Sequence, residues 1–212
     1  MKMVGPQRLR SGDRKKQYYM KAFGTGLKDC YILEPEIHAD DRGYFFESYN
    51  RGSFLNATGL EVEFVQDNQS FSQRGVLRGL HAQRGKFAQA KLVRVLQGKV
   101  LDVAVDARPD SNTFGEHVAV VLSQQNKRQL FVPRGFLHGF VVLSETAEFF
   151  YKCDNLYSRD AEWGANFSDS SLGIDWRLAC SELTVSQKDQ ELPTFAEALG
   201  MLSVDDLLVD GR

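Results

Sequence analysis

Cysteine is scarce in this 212-residue chain: Cys30, Cys153 and Cys180 are widely spaced and form no Cys-x-x-Cys pair. An odd, dispersed set argues against a disulfide framework and a structural zinc site, and fits a reducing cytoplasm. Long apolar runs are missing as well. No stretch approaches the roughly 18 residues that a membrane-spanning helix requires, and Met1 to Arg10 carry charge with no apolar run behind them, so no secretion signal is expected. An excess of one charge is also absent. With 26 basic and 28 acidic residues the formal net charge is -2, which generates no strong field toward nucleic acid or a membrane surface and points to a small-molecule partner. No Gly-x-Gly-x-x-Gly or Gly-Lys-Ser turn follows a strand, and Gly24-Thr25-Gly26 precedes the first strong one, which argues against nucleotide-dependent redox or kinase chemistry. His38, His81, His117 and His138 are isolated in sequence. The His-x-His pair by which many β-barrels hold a metal is therefore lacking, and no metal is expected.

At 42% hydrophobic and 25% charged residues the composition is that of a globular chain. Residues 1–19 stand apart, with Arg8, Arg10, Arg14, Lys15 and Lys16 among Gly5, Pro6 and Gly12. This reads as a basic, disordered leader, with Met20 as the expected true start. From Asp29 to about Tyr157 short β-branched and aromatic runs alternate with Gly, Asn, Asp and Pro, which is the pattern of strands and turns. Lys91–Leu96 and Val100–Val105 around Gln97-Gly98-Lys99 are expected to form a hairpin. His138–Leu143 and Ala147–Cys153 around Ser144-Glu145-Thr146 are expected to pair antiparallel, with His138 on the face of Phe140 and Val142, and Tyr151 on that of Phe149. Helical pattern is confined to the tail, at Phe195–Leu202 and Val204–Leu208. The expected architecture is mainly β: a double-sheet jelly roll over residues 20–180, completed as one domain by a C-terminal segment, 181–212, with short helices.

Arg74–Lys91 draws attention because Arg78, His81 and Lys91 sit beside Val76, Leu77 and Leu80. Charged and titratable groups on an apolar strand need partners or a polar cavity to offset desolvation. Gln66, Asp67 and Asn68 lie one strand earlier, and such polar groups on facing strands suggest a ligand cavity. Taken alone, His81 reads as a core histidine, Lys91 as a strand-edge lysine, Arg42 as part of a charged turn and Asp189 as a solvated loop residue.

Six blocks alter that reading: Asp41-Arg-Gly-Tyr-Phe-Phe-Glu47, Phe64-Val-Gln-Asp-Asn68, Gly75-Val-Leu-Arg-Gly-Leu-His81, Lys91-Leu-Val-Arg94, Pro133-Arg-Gly-Phe-Leu-His-Gly-Phe140 and Glu148-Phe-Phe-Tyr-Lys152. In this order, with Leu172-Gly-Ile-Asp-Trp176, they resemble the dTDP-4-dehydrorhamnose 3,5-epimerase family from about Lys21 to Asp189. The resemblance implies a cupin-type double-stranded β-helix, a homodimer, no metal or other cofactor, and dTDP-4-dehydro-6-deoxy-D-glucose as substrate. It implies inversion at C3 and C5, a step toward dTDP-L-rhamnose.

The same resemblance assigns roles. His81 would be the base and Asp189, in Ser186-Gln-Lys-Asp189, its partner; Lys91 would stabilise the enolate oxygen and Tyr151 would return the proton. His138 would line the cavity. Arg42, Phe45 and Glu47, reaching across a dimer interface, would contact the nucleotide with Gln66, Asn68, Arg78 and Tyr157, and Lys188 would add charge. Two positions depart from the family pattern. Ala82 stands where an aromatic often follows the histidine, and Gln69 where a histidine often follows Asp-Asn; both are expected to bear on sugar fit and on whether C3 alone is inverted.

Overall fold

The computed structural model describes residues 20–207, so the expected leader and the last residue of the expected final helix lie outside the described residues. In chain order the strands are β1 (Met20–Gly24), β2 (Tyr31–Pro35), β3 (His38–Asp40), β4 (Gly43–Phe45), β5 (Gln66–Gln73), β6 (Val76–Gln83) and β7 (Lys91–Gln97). They continue as β8 (Lys99–Asp106), β9 (His117–Ser123), β10 (Gln129–Val132), β11 (Phe136–Val142), β12 (Thr146–Cys153), β13 (Glu162–Gly164) and β14 (Thr184–Val185). One sheet has the order β1-β2-β10-β7-β12-β5 and the other β13-β6-β11-β8-β9, with β14 beside the start of β6; β3 and β4 form a separate hairpin. The two large sheets face each other as a cupin-type jelly roll.

Both expected hairpins are corrected. β7 and β8 belong to different sheets: β7 pairs with β10 and β12, β8 with β11 and β9. Likewise β11 pairs with β6 and β8, whereas β12 pairs with β5 and β7. The turns at Gly98 and at Ser144–Thr146 are arches that carry the chain from one sheet to the other. They pass against each other closely enough that Gly98, at φ +82°, has the Thr146 carbonyl where a Cβ would sit. Alternation of apolar residues fixes which face is buried and is the same for a hairpin and an arch.

Three apolar clusters follow from that alternation. Between the sheets lie Val93, Val95, Val100, Ala104, Phe136, Phe140, Val142 and Phe149. Behind the second sheet, Leu77, Leu80, Leu101, Val103, Leu137 and Val141 meet Trp176 and Phe195 from the C-terminal segment. Behind the first, Leu33, Leu92 and Phe131 meet Phe54 of α1 (Arg51–Thr58). Sequence pattern missed α1 because only Phe54 is buried along it, although its stops are ordinary. The Asn50 side chain accepts from Gly52 and Ser53 N–H groups, and Gly59 ends the helix in the left-handed region.

The first C-terminal helix is shorter than expected, α3 spanning Phe195–Gly200, and α4 runs over Val204–Leu207 among the described residues. Before them α2, Gln187–Gln190, is a single turn that packs on β6. Among the described residues, no helix is long and apolar enough to cross a membrane.

Candidate active site

A strand sends alternate side chains to opposite faces, so the inner wall can be read from its parity. β7 points Lys91, Val93 and Val95 inward; β12 points Ala147, Phe149, Tyr151 and Cys153; β11 points Phe136, His138, Phe140 and Val142. Toward one end of the barrel this apolar wall gives way to lysine, tyrosine and histidine. β6 breaks parity, since Arg78 and His81 are three residues apart yet line one cavity. The pairing explains this: His81 lies opposite His138 and Arg78 opposite Phe140, so β6 has one residue more than β11 over the interval. This bulge at Gly79 and Leu80 brings both functional side chains to the inner face while Leu77 and Leu80 remain in the outer core. The backbones approach so closely that a Cβ on Gly79 would lie 2.6 Å from the Gly139 Cα.

The resulting cleft has two lobes. The larger, about 570 Å³, is lined by Arg78, His81, Lys91, His138, Tyr151, Lys188 and Asp189 together with Ser70, Phe140 and Phe149. The smaller, about 250 Å³, takes Gln66, Asn68, Gln83, Gln89, Tyr157 and Glu162. His81, Lys91 and Tyr151 belong to both lobes and mark where they join. A single loop or strand could not assemble this set: β5, β6, β7, β11, β12 and α2 all contribute.

At that junction His81 Nε2 lies 2.9 Å from Asp189 Oδ1. Asp189 Oδ2 accepts from the Gly79 N–H at 3.3 Å, and Ser186 caps α2 by accepting from the Asp189 N–H. Burial raises the Asp189 carboxyl, but bonding and attraction from His81, then the Gly79 and Ser186 bonds, outweigh it and hold the group below the ordinary aspartate value. An ionised carboxylate only accepts, so His81 Nε2 carries the hydrogen and Nδ1 of a neutral imidazole remains a base.

A second imidazole–carboxylate pair lies deeper. His138 Nε2 is 3.0 Å and 3.1 Å from the two oxygens of Asp102, and the His138 ring stacks on Phe149. Asp102 is fully buried, and desolvation raises its carboxyl despite the opposing influence of His138 and then of Lys91. Lys91 has no ion pair among the described residues, and burial lowers its ammonium below the ordinary lysine value. Burial likewise raises the Tyr151 phenol, which keeps it protonated at neutral pH. Cys153, opposite Lys91 across the strand pair, is pushed up to about 11 by burial and stays a neutral thiol.

At the rim, Glu162 accepts from Tyr157 Oη and from Lys188 Nζ, both at 2.7 Å. Arg78 Nε donates to Ser72 Oγ at 3.3 Å, and among the described residues Arg78 forms no ion pair with a carboxylate. Arg42, Phe45 and Glu47 do not line the cleft of their own chain. They lie on and beside the projecting β3–β4 hairpin, where Arg42 pairs with Asp40, Phe45 is 70% exposed and Glu47 accepts from Asn50 and Ser53. Gln69 also lies away from the cleft. It turns to the outer face of β5 and contacts Glu148, so its expected influence on sugar fit is corrected. Ala82 packs in the outer core of the second sheet and borders the small lobe.

Residues 24–197 match the family model described as dTDP-4-dehydrorhamnose 3,5-epimerase. This chain belongs to that family. The epimerase family match contains the whole cleft, from Gln66 to Asp189. A dTDP-4-dehydrorhamnose 3,5-epimerase from Escherichia coli K12 is 49% identical over 180 residues, covering 85% of this chain and 97% of the relative. The crystal structure of the epimerase from Elizabethkingia anophelis superposes with a TM-score of 0.82 at 56% identity, over 84% of this chain and 98% of that one. The Legionella pneumophila dTDP-6-deoxy-D-glucose-3,5-epimerase, solved with dTDP-4-keto-L-rhamnose, gives 0.81 at 42% identity, over 91% and 99%.

Sequence reasoning named every junction residue of this epimerase-family cleft but missed Asp102, Glu162, Gln83 and Gln89. Asp102 had a visible signal, a lone carboxylate inside Val100-Leu-Asp-Val-Ala-Val105. Glu162 had none, because Arg159-Asp-Ala-Glu162 reads as a solvated turn.

Proposed function

We propose that this chain inverts C3 and C5 of dTDP-4-dehydro-6-deoxy-D-glucose to give dTDP-4-dehydro-L-rhamnose, by cofactor-independent proton transfer on the way to dTDP-L-rhamnose. The observation that carries the reading is the junction itself. His81, held by Asp189 of α2, stands on one sheet, Tyr151 and Lys91 stand on neighbouring strands of the other, and all three border both lobes. Inversion requires a proton to leave one face of the sugar and return to the other, and groups on opposed sheets can reach opposite faces.

C3 and C5 both flank the C4 ketone. His81 Nδ1 takes the proton, the C–H electron pair becomes the enolate, and its negative charge settles on O4 beside the Lys91 ammonium. Tyr151 then gives its hydroxyl proton to the opposite face of the same carbon. Solvent restores the phenol and removes the proton from His81, so each inversion is neutral in atoms and electrons. Asp189 holds the imidazole and stabilises the imidazolium. His138, fixed by Asp102, bounds the sugar on its apolar side with Phe140 and Phe149.

The nucleotide fits the amide-rich lobe of Gln66, Asn68 and Tyr157, with diphosphate toward Arg78 and Lys188. Arg42, Phe45 and Glu47 are assigned to the cleft of a second copy in a homodimer, which accounts for an exposed aromatic hairpin outside its own cleft. Residues 1–19 lie outside the described residues, and 181–207 are assigned to the completion of the domain. A cytoplasmic setting completes the proposal.

Incubation of the dTDP-keto sugar with the protein in heavy water tests it. Deuterium should enter at C3 and C5; label at C3 alone would mean single epimerisation, and no label would overturn the enzymatic reading. His81→Ala should abolish exchange at both carbons and leave dTDP binding measurable by calorimetry.

A further inference from the structure

The Glu162 carboxylate bonds both Tyr157 and Lys188 at the rim of the cleft, yet the proton-transfer scheme gives it no task. It sits on β13, which pairs with β6 so that Glu162 lies opposite Gln83 and Gly164 opposite His81. This contact is tight: a Cβ on Gly164 would lie 2.3 Å from the Leu80 carbonyl oxygen and 3.3 Å from His81 Cδ2. Glu162 is therefore mounted on backbone that abuts the His81 ring. Its side chain is only 17% exposed, although its partner Lys188 is 62% exposed.

We propose that Glu162 is a positioning residue that couples the nucleotide-side lobe to the His81–Asp189 dyad. The coupling follows from two hydrogen bonds to one carboxylate and from the lobe that it shares with His81. Tyr157 Oη donates to Oε2 from the loop after β12, and Lys188 Nζ donates to Oε1 from α2. Glu162 and His81 also border the same small lobe, and attraction from His81, after the Lys188 and Tyr157 bonds, helps overcome burial and lower the Glu162 carboxyl. Other titratable groups that feel the Glu162 charge from facing strands are Lys91 on β7 and Tyr151 on β12. Around His81 the opposing carboxylates are Asp189 and Glu162.

A four-residue helix has too few internal hydrogen bonds to hold its own orientation. α2 depends on side anchors: Asp189 on His81 and Gly79, and Lys188 on Glu162. Successive helical residues point about 100° apart, so one anchor fixes depth and the other rotation about the axis. In the free protein both hold Asp189 Oδ1 in line with His81 Nε2, and the Asp189 bonds and that of Asn166 Nδ2 to the Gln190 carbonyl, at 3.0 Å, remain when Lys188 is drawn away. When a diphosphate draws Lys188 toward itself, Glu162 loses its strongest cationic partner and its charge acts more fully on His81. Ligand binding thereby favours the imidazolium that proton abstraction creates.

This inference rests on His81 being the base, and the experiment keeps the two apart because wild-type activity is measured alongside. Initial rates of C3 deuterium exchange from pH 5 to 9 are compared for wild type, Glu162→Gln, Glu162→Asp and Lys188→Met, each checked for folding by thermal melt. Glu162→Gln keeps an acceptor for Tyr157 and removes the charge. Its kcat should fall about tenfold, with KM changed less than about threefold, and the acid limb of kcat/KM should move to lower pH by about half a unit. The sign follows from the base. Without a nearby carboxylate His81 gains its proton less readily, so it stays in the basic form further into acid. Glu162→Asp should return the acid limb toward wild type, and Lys188→Met should raise KM without moving that limb to lower pH. A folded Glu162→Gln with wild-type kcat and an unmoved acid limb would overturn the proposal, as would a slow variant whose limb is unmoved and whose Glu162→Asp counterpart is equally slow. An inactive wild type would instead sink the epimerase reading.

Discussion

Two imidazole–carboxylate pairs share the cleft and differ in everything except chemistry. His81 and Asp189 meet at the junction of the lobes, the imidazole partly open to solvent and the carboxylate on a one-turn helix from the far end of the chain. His138 and Asp102 face each other across neighbouring central strands, with the carboxylate fully buried. Asp189 gains backbone and capping donors and ends below its ordinary value; Asp102 lacks them and ends above it. A base that cycles protons needs a free nitrogen, a polar outlet and an ionised partner, and the first pair has all three. The second has the rigidity and burial of a wall. Equal motifs do different work because of what surrounds the carboxylate.

The largest expected effect follows directly. His81→Asn should lower epimerisation by at least about 10³-fold with the fold intact, whereas His138→Asn should leave measurable exchange and alter KM; steady-state kinetics on both variants decides this. Equal losses would dissolve the contrast. Stability should separate the pairs in the opposite sense. Asp102→Ala leaves a hole and an unpaired imidazole in the core and should cost about 3 kcal/mol, while Asp189→Ala, at the cleft edge, should cost about 1 kcal/mol. Urea unfolding midpoints compare the two.

Much of this was legible in the chain, for identifiable reasons. Polar residues on apolar strands announced a cavity because burying them elsewhere is costly, and Gln66, Asn68, Arg78, His81 and Lys91 do line it. Inward parity was readable for His138 and Tyr151. Strand pairing was not: alternation is blind to whether Gly98 and Ser144 turn a hairpin or cross between sheets. Asp189 could be placed only through family resemblance, because nothing local links residue 189 to residue 81 across 108 positions. The bulge that turns Arg78 and His81 to one side left only a glycine as its trace. Arg42, Phe45 and Glu47 lie outside their own cleft, and no reading of one copy alone could show what they touch.

The smallest effect is the sharpest test of the comparison, because the two carboxylates should respond to acid with opposite sign. Asp189 is depressed in the folded state. Its contribution to stability is fully present above the unfolded value of about 3.9 and is lost as pH falls through the folded value. Asp102 is raised. Its protonated form is favoured by folding, so its contribution is greatest below about pH 3.9 and declines as pH climbs through the folded value. Unfolding midpoints of Asp189→Asn and Asp102→Asn, measured against wild type from pH 3 to 7, should therefore diverge in direction. The advantage of wild type over Asp189→Asn should shrink toward acid, and its advantage over Asp102→Asn should shrink toward neutrality. Parallel curves would mean that the two pairs share one electrostatic environment, and the division of labour between them would fail.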